Sequence, residues 1–308
     1  MQFNIPIAYF IFNRPDCTKK SFSIIRDQKP KKLLIIADGA RSGNLDDTKK
    51  CSECLKIVSQ IDWPCEIKTN YSKVNLGMKE RNITGLNWAF SFEEELLILE
   101  DDNLPIDEFF KFVEKVAPIY RNNEKIFQIT GVNWQDNNIR GNASYYFSKY
   151  NNLWGWVTWK RNWQKYDVKI SAWPDYKKSD NWKKKCPNSV ERYYWEKLFN
   201  EYHSKEINSW AYAWLFSAFY NNRLTVTPNV NLVKNVGLHG DGTHEFENKN
   251  SLMKPYGQIK FPLIHPKGIE ENFEADEYTF NNIFGGKEMK SIKGQLKNYL
   301  KKLLFNNI

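Results

Sequence analysis

Residues 95–105 read ELLILEDDNLP, and an apolar run from Leu96 to Leu99 delivers three consecutive carboxylates, Glu100, Asp101 and Asp102. Like charges packed together raise one another's proton affinity unless a cation neutralises them. Oxygen-only donors of this kind suit Mg2+ or Mn2+, ions commonly held by one or two side chains together with substrate phosphates. Such an ion steadies a departing diphosphate where negative charge develops. The sequence contains neither a Walker A loop nor GxGxxG, so a glycine-rich phosphate cradle is not expected. The competing reading of the triplet is a solvated acidic corner.

The surrounding pattern places these carboxylates at the edge of a sheet. Apolar blocks at 5–13, 32–40, 65–71 and 95–102 read as strands, with helical spacing at 17–28, 45–60 and 78–92, where Ile83, Leu86 and Phe90 share a face. Strands that are apolar throughout and alternate with helices indicate an α/β fold with a mostly parallel sheet covered on both faces. In such sheets ligands bind beyond the carboxyl ends of the strands, where Asn13, Asp38 and the carboxylate triplet fall. Beyond residue 107 the spacing predicts a helix at 107–121, a strand at 126–134, a helical segment at 190–222 and a strand from 223 that runs into a glycine-rich loop. Ten of the twelve tryptophans lie between Trp134 and Trp214. Most are expected in the core, where large aromatics dominate burial.

The chain has 308 residues, 41% hydrophobic, and a formal net charge of +9. From Phe284 to Ile308 there are six lysines and one glutamate. The basic excess therefore collects in the tail, which argues against a nucleic-acid groove spread over the fold. Residues 287–304 read as a basic amphipathic helix suited to an anionic membrane surface. No apolar run approaches the ~18 residues needed to span a bilayer, and no leader-like segment opens the sequence, so a cytoplasmic location, peripheral on the inner membrane face, is expected. Five cysteines include one lone CxxC, Cys51 and Cys54; ordinary helix-face thiols are expected there rather than a zinc site.

The segments YFIFNRP, IIADG, NLGMKERNITGLNWAF, LILEDDNLP, WGWVTW and PNVNLVKNVG…TH, in this order over roughly residues 5 to 245, resemble a GT-A fold glycosyltransferase. The likeness is to the N-acetylglucosaminyltransferase I type and related bacterial enzymes, with EDD resembling the DxD motif. The resemblance implies a Rossmann-like mixed sheet, mostly parallel, and a nucleotide-diphosphate sugar donor, with a UDP-sugar expected. It implies Mn2+ or Mg2+ held by Asp102, and donor contacts from Asn13, Arg14, Asp38, Asn75, Arg81, Glu100 and Asp101. The acceptor implied is a glycan or a lipid-linked glycan of a bacterial surface polysaccharide, with no nucleic-acid partner.

The family's catalytic base lies in a tryptophan-flanked acidic pair, and the matching SWAYAW carries Ala211 and Tyr212. This departure leaves three readings: another carboxylate serves, the reaction is retaining, or activity is lost. Asp241 in GLHGDGTHE is the preferred substitute, and His244, rather than His239, is the candidate to complete the metal site. Glu191 and Glu196 are expected on a solvated helix face. Trp154 and Trp156 are candidates for an apolar floor under an acceptor sugar. The expected organisation is a GT-A domain over 1–265, with a donor half at 1–106 and an aromatic-rich acceptor half at 107–265, followed by a C-terminal extension at 266–308. Two competing functions are a non-catalytic glycan-binding protein and a sugar nucleotidyltransferase. The latter would want a glycine-bearing loop after the first strand, where NRPDCTKK has none.

Overall fold

The computed structural model describes residues 2–237 and 254–291. Three β/α repeats and a fourth strand open the chain: β1 (Ile7–Ile11), α1 (Pro15–Gln28), β2 (Lys32–Ala37), α2 (Leu45–Val58), β3 (Glu66–Tyr71), α3 (Gly77–Ala89) and β4 (Glu95–Glu100). Pro15 opens α1, where its missing N–H costs nothing, and Asn44 caps α2 by accepting from the Asp47 N–H. Next come β5 (Asn103–Pro105), α4 (Asp107–Tyr120), β6 (Ile126–Thr130), β7 (Tyr145–Ser148) and β8 (Trp156–Trp159). The remaining elements are α5 (Lys160–Trp163), α6 (Trp173–Tyr176), α7 (Asp180–Lys185), α8 (Ser189–His203), α9 (Ala211–Tyr220), β9 (Leu224–Pro228), β10 (Val233–Asn235), α10 (Phe273–Asn282) and α11 (Gly286–Lys290).

Eight strands form one mixed, mostly parallel sheet in the order β3-β2-β1-β4-β8-β6-β9-β7. The first four are mutually parallel, and β8 inserts antiparallel between β4 and β6. Register brings the carboxyl ends together: Ile11 lies opposite Ala37, and Phe10 opposite Glu100. Because β8 runs backwards, its first residue, Trp156, pairs with Ile98, and the WGW segment reaches the same edge as the carboxylates.

Both sheet faces are covered over β1, β2 and β4, which accounts for their uninterrupted apolar runs, whereas β3, expected as an apolar block, is a largely exposed edge strand. Ile7, Tyr9 and Ile11 face α1, α2 and α4, through Phe22, Ile25, Cys54, Val58 and Phe109. Ala8 and Phe10 face α3 and an aromatic wall of Trp156, Trp163, Trp210 and Trp214. A third cluster, centred on Trp173, Trp182, Trp195, Phe199, Phe216 and Phe219, fills the helical half.

The expected helical segment at 190–222 is two helices, α8 and α9, broken where Lys205 takes φ 68. A left-handed residue cannot continue a right-handed helix. The boundary expected at 265 does not separate α10 from the body. Phe280 is buried in the third cluster, and Gln135 donates to the Ala275 carbonyl at 3.0 Å. Of the basic helix expected at 287–304, residues 292–304 lie outside the described residues.

Candidate functional site

Asp101 and Asp102 follow β4 directly and are both buried, at 1% and 6% exposure. Residues 103–105 form a short antiparallel ladder with β10, Asn103 opposite Asn235. That ladder orients the acids. Asp102 Oδ1 accepts from Asn103 Nδ2 at 2.8 Å and from Asn235 Nδ2 at 3.0 Å. Asn103 Oδ1 in turn accepts from the Glu100 and Gly155 N–H groups. The Asp101 carbonyl is held by Ser21 Oγ at 2.9 Å, and Ser21 is itself bonded to Tyr9.

Arg14, at the start of α1, closes over the pair. Its Nη2 lies 2.6 Å from Asp101 Oδ1 and its Nη1 2.9 Å from Asp102 Oδ2. Burial alone would lower the guanidinium's proton affinity, but Asp101, Asp102 and Glu100 outweigh it and hold it above its ordinary range. Burial foremost, with Asp102 adding, pushes the Glu100 carboxyl up to about 8. Burial likewise pushes Asp101 up to about 7, against the opposing pull of Arg14. A single guanidinium therefore does not offset the burial of Glu100 and Asp101.

The residues fit a divalent cation on two observations. Asp101 Oδ1 is a buried carboxylate oxygen that has no aligned hydrogen bond and is met only by the charge of Arg14. Gly237, at the end of the β10 strap, lies so close that a Cβ would land on Asp102 Oδ2 and 2.6 Å from Arg14 Nη1. The strap thus approaches the acidic pair closely, and a side chain at 237 would require Asp102 or Arg14 to shift.

Asp38, at the end of β2, is engaged by four donors. These are the Gly39, Leu76 and Gly77 N–H groups at 2.9–3.0 Å and Asn75 Nδ2 at 3.1 Å. It anchors the loop that opens α3. Gly39 permits this because a Cβ there would meet the Val74 backbone at 2.5 Å. Arg81 on α3 is 5% exposed and donates to the Asn70 carbonyl and side chain. Its Nε has no partner, and among the described residues no carboxylate lies in salt-bridge contact with it. Burial lowers its proton affinity, with Asp38 opposing. Asn13 donates to Asp47 Oδ1 at 2.7 Å, and Asp47 also takes Arg41. This hydrogen bonding to Arg41 holds the Asp47 carboxyl well below the usual range.

The two tryptophans of WGW part company. Gly155 adopts φ +60, which only glycine takes without strain. Trp154 stays partly exposed and meets Trp134 edge to face at 5.8 Å. Trp156 is not an acceptor floor. It is 1% exposed and packed against Trp210 and Trp214, because β8 is a central strand whose side chains enter the core. Glu191 is not solvated either: it is 5% exposed, bonded by Tyr150 and 2.8 Å from Lys149 Nζ. Glu196 is half-buried and accepts from Trp182 Nε1. Ala211 and Tyr212 open α9 and bring no carboxylate. Asp241, His239 and His244 lie outside the described residues.

Asn103, Asn235, Gly237, Ser21 and the Asp47–Arg41 pair were not foreseen as parts of the site. Asn103 and Asn235 sit inside the motifs EDDNLP and PNVNLVKNVG, which was the one signal available.

No protein-family model matches the chain, and no curated protein does. Solved structures with a similar arrangement of sheet and helices include a mannosyltransferase from Pyrobaculum calidifontis in complex with GDP-Man and Mn2+. It is 9% identical over 51% of this chain, with a TM-score of 0.33, and the match spans 45% of that enzyme's length. A second is the 4-diphosphocytidyl-2C-methyl-D-erythritol synthase from Anaerococcus prevotii, at 10% identity over 72% of this chain and 86% of that one, TM-score 0.36. A third is the inositol-1-phosphate CTP transferase from T. maritima, at 11% identity over 82% and 96%, TM-score 0.36.

Proposed function

We propose that the chain is a GT-A type glycosyltransferase that moves a sugar from a nucleotide-diphosphate donor, a UDP-sugar, to a glycan or glycolipid acceptor. The observation that carries this reading is the pair Asp101–Asp102. It is buried at the carboxyl edge of a central parallel strand, oriented by two amides on one side, and left with cation-facing oxygens on the other. Mn2+ or Mg2+ bound by Asp102 would supply electrostatic stabilisation to the departing diphosphate.

The chain's own residues do the rest. Arg14 and Arg81 are the cations within reach of the diphosphate, and Arg81 is the more telling: a buried guanidinium without a counter-ion is costly unless an anion arrives. Asp38, through Asn75 and the 76–77 backbone, fixes the loop against which the nucleoside rests. Trp154 offers a flat apolar face on the acceptor side, with the sugar's C–H groups against the indole. Asp241 remains the candidate base for the acceptor hydroxyl and His244 the candidate further metal ligand. No described helix is long and apolar enough to cross a membrane, and the basic tail at 287–304 is the proposed contact with an anionic inner membrane face.

The test is thermal unfolding of the wild type and Asp102→Ala with UDP, GDP and CMP, each with and without Mn2+. A nucleotide at about 100 times its dissociation constant adds roughly 2.7 kcal/mol of stability. Stabilisation by UDP that needs Mn2+ and vanishes in Asp102→Ala is the expected result. Absence of any response at millimolar nucleotide would reduce the triplet to a buried acidic cluster balanced by Arg14, since Asp101 and Asp102 are not the solvated corner the competing reading expected. Transfer of sugar rather than of a nucleotidyl group is then settled by whether the free nucleotide product is a diphosphate or whether pyrophosphate is released.

A further inference from the structure

We infer that Arg14 is an exchangeable counter-ion: its guanidinium holds the cation position between Asp101 and Asp102 until a divalent cation displaces it, and the released guanidinium then takes the diphosphate. This rests on the metal-dependent reading above.

The two oxygens of Asp102 are used differently. Oδ1 is filled by two amide donors, from Asn103 and Asn235, each 7% exposed or less. Oδ2 faces Arg14 at 2.9 Å. Asp101 divides in the same way, with Oδ2 taking the Phe12 N–H at 3.3 Å and Oδ1 facing Arg14 at 2.6 Å without an aligned hydrogen bond. Both oxygens that point at Arg14 are thus taken by one guanidinium, Asp102 Oδ2 through a hydrogen bond from Nη1 at 2.9 Å and Asp101 Oδ1 by charge, while their partners are fixed by neutral amides. A metal at about 2.0–2.1 Å from such an oxygen would occupy the place of the guanidinium, and two cations cannot share it.

The arginine is built to leave. Its side chain is 32% exposed, against 2% and 9% for the two aspartates, so it sits on the solvent side of the pair. Its backbone is pinned at the start of α1, where the Thr18 N–H bonds its carbonyl at 2.9 Å. Exchange therefore needs only side-chain rotation. Metal and diphosphate consequently bind with positive coupling: the metal frees Arg14, and the diphosphate gives it a new anion. By linkage each raises the affinity of the other equally.

The experiment is a Mn2+ titration of the full chain, without nucleotide, following the electron paramagnetic resonance of the free ion. Wild type, Arg14→Met, Arg14→Lys and Asp102→Ala are compared, and UDP and GDP dissociation constants are measured with and without Mn2+. Arg14→Met is expected to bind Mn2+ tighter than wild type, by about the 5- to 150-fold range of typical couplings, and to lose most of the mutual enhancement between Mn2+ and nucleotide. Arg14→Lys, which keeps a charge but cannot span two carboxylates, is expected between the two, and it carries the test should Arg14→Met not fold. Equal or weaker Mn2+ binding by the Arg14 variants, while wild type still binds Mn2+ with UDP or GDP, would overturn the exchange and leave the metal-dependent reading standing. No Asp102-dependent Mn2+ binding in any form, with or without nucleotide, would overturn both.

Discussion

Asn235 donates to Asp102 Oδ1 at 3.0 Å across 133 residues of chain, so the orientation of the acidic pair is set by a strap that belongs to the other half of the molecule. Asn235→Ala removes one of two amides that fix that carboxylate. Groups supporting a metal ligand typically matter 10- to 100-fold in affinity. The expected result is a loss of Mn2+ affinity in that range, at a stability cost of about 1 kcal/mol. The direction is opposite to that expected for Arg14→Met, and an unchanged Mn2+ dissociation constant would remove the strap from the site.

Gly39→Ala tests the second edge of the site. The added methyl would sit 2.5 Å from the Val74 backbone, and backbone cannot step aside as a flexible side chain can. Overpacking of this kind costs about 1–3 kcal/mol. Relief by moving residues 74–77 breaks the three bonds that segment gives Asp38. Lower melting temperature together with a lost response to UDP and Mn2+ is expected. A variant that melts early but keeps its full nucleotide response would show that the Asp38 loop serves the fold alone.

Trp154 and Trp156 are two residues apart and should behave as different kinds of residue. Trp156→Ala empties a fully buried site against Trp210 and Trp214 and should destabilise by about 3–5 kcal/mol. Trp154→Ala should cost far less and leave the UDP response intact, while abolishing capture on a glycan array. Equal destabilisation by both, or unaltered glycan capture by Trp154→Ala, would refute an acceptor role for Trp154.

These contrasts mark what could be read from the sequence. The β/α repeats were legible because β1, β2 and β4, buried on both faces, are almost wholly apolar, and because helical spacing separates them. The placement of Glu100–Asp102 at a strand end followed from the same pattern. What stayed hidden depends on partners distant in the chain. Trp154 and Trp156 cannot be told apart until Gly155 is seen at φ +60 in a strand that runs backwards through the sheet. Glu191 looks like an ordinary helix-surface acid until Lys149, at the end of β7, is found 2.8 Å away. Asn103 and Asn235 are unremarkable amides until the β5–β10 ladder brings them together.

Lys149 also belongs to a buried charge cluster that gives the fold a pH dependence. Asp276, on α10, accepts from Ser148 Oγ at 2.5 Å and from the Lys149 N–H at 3.0 Å, with Glu271, Glu191 and Lys185 close around Lys149. Burial pushes Asp276 up to about 7, against the pull of Lys149 and with the push of Glu271. An acid raised in the folded state binds more protons there than in the unfolded chain. Its stabilising contribution is therefore full below the unfolded value, near pH 3.8, and is lost as pH rises through about 7. Glu100 and Asp101 act with the same sign, so the wild type alone cannot assign the effect. Asp276→Asn, which cannot ionise, should melt with a weaker dependence on pH between about 4 and 8 than wild type, the two curves differing by a few degrees across that window. If the variant follows the wild-type pH profile in parallel, Asp276 is ionised in the folded chain at all these pH values and the cluster is a simple buried ion-pair network.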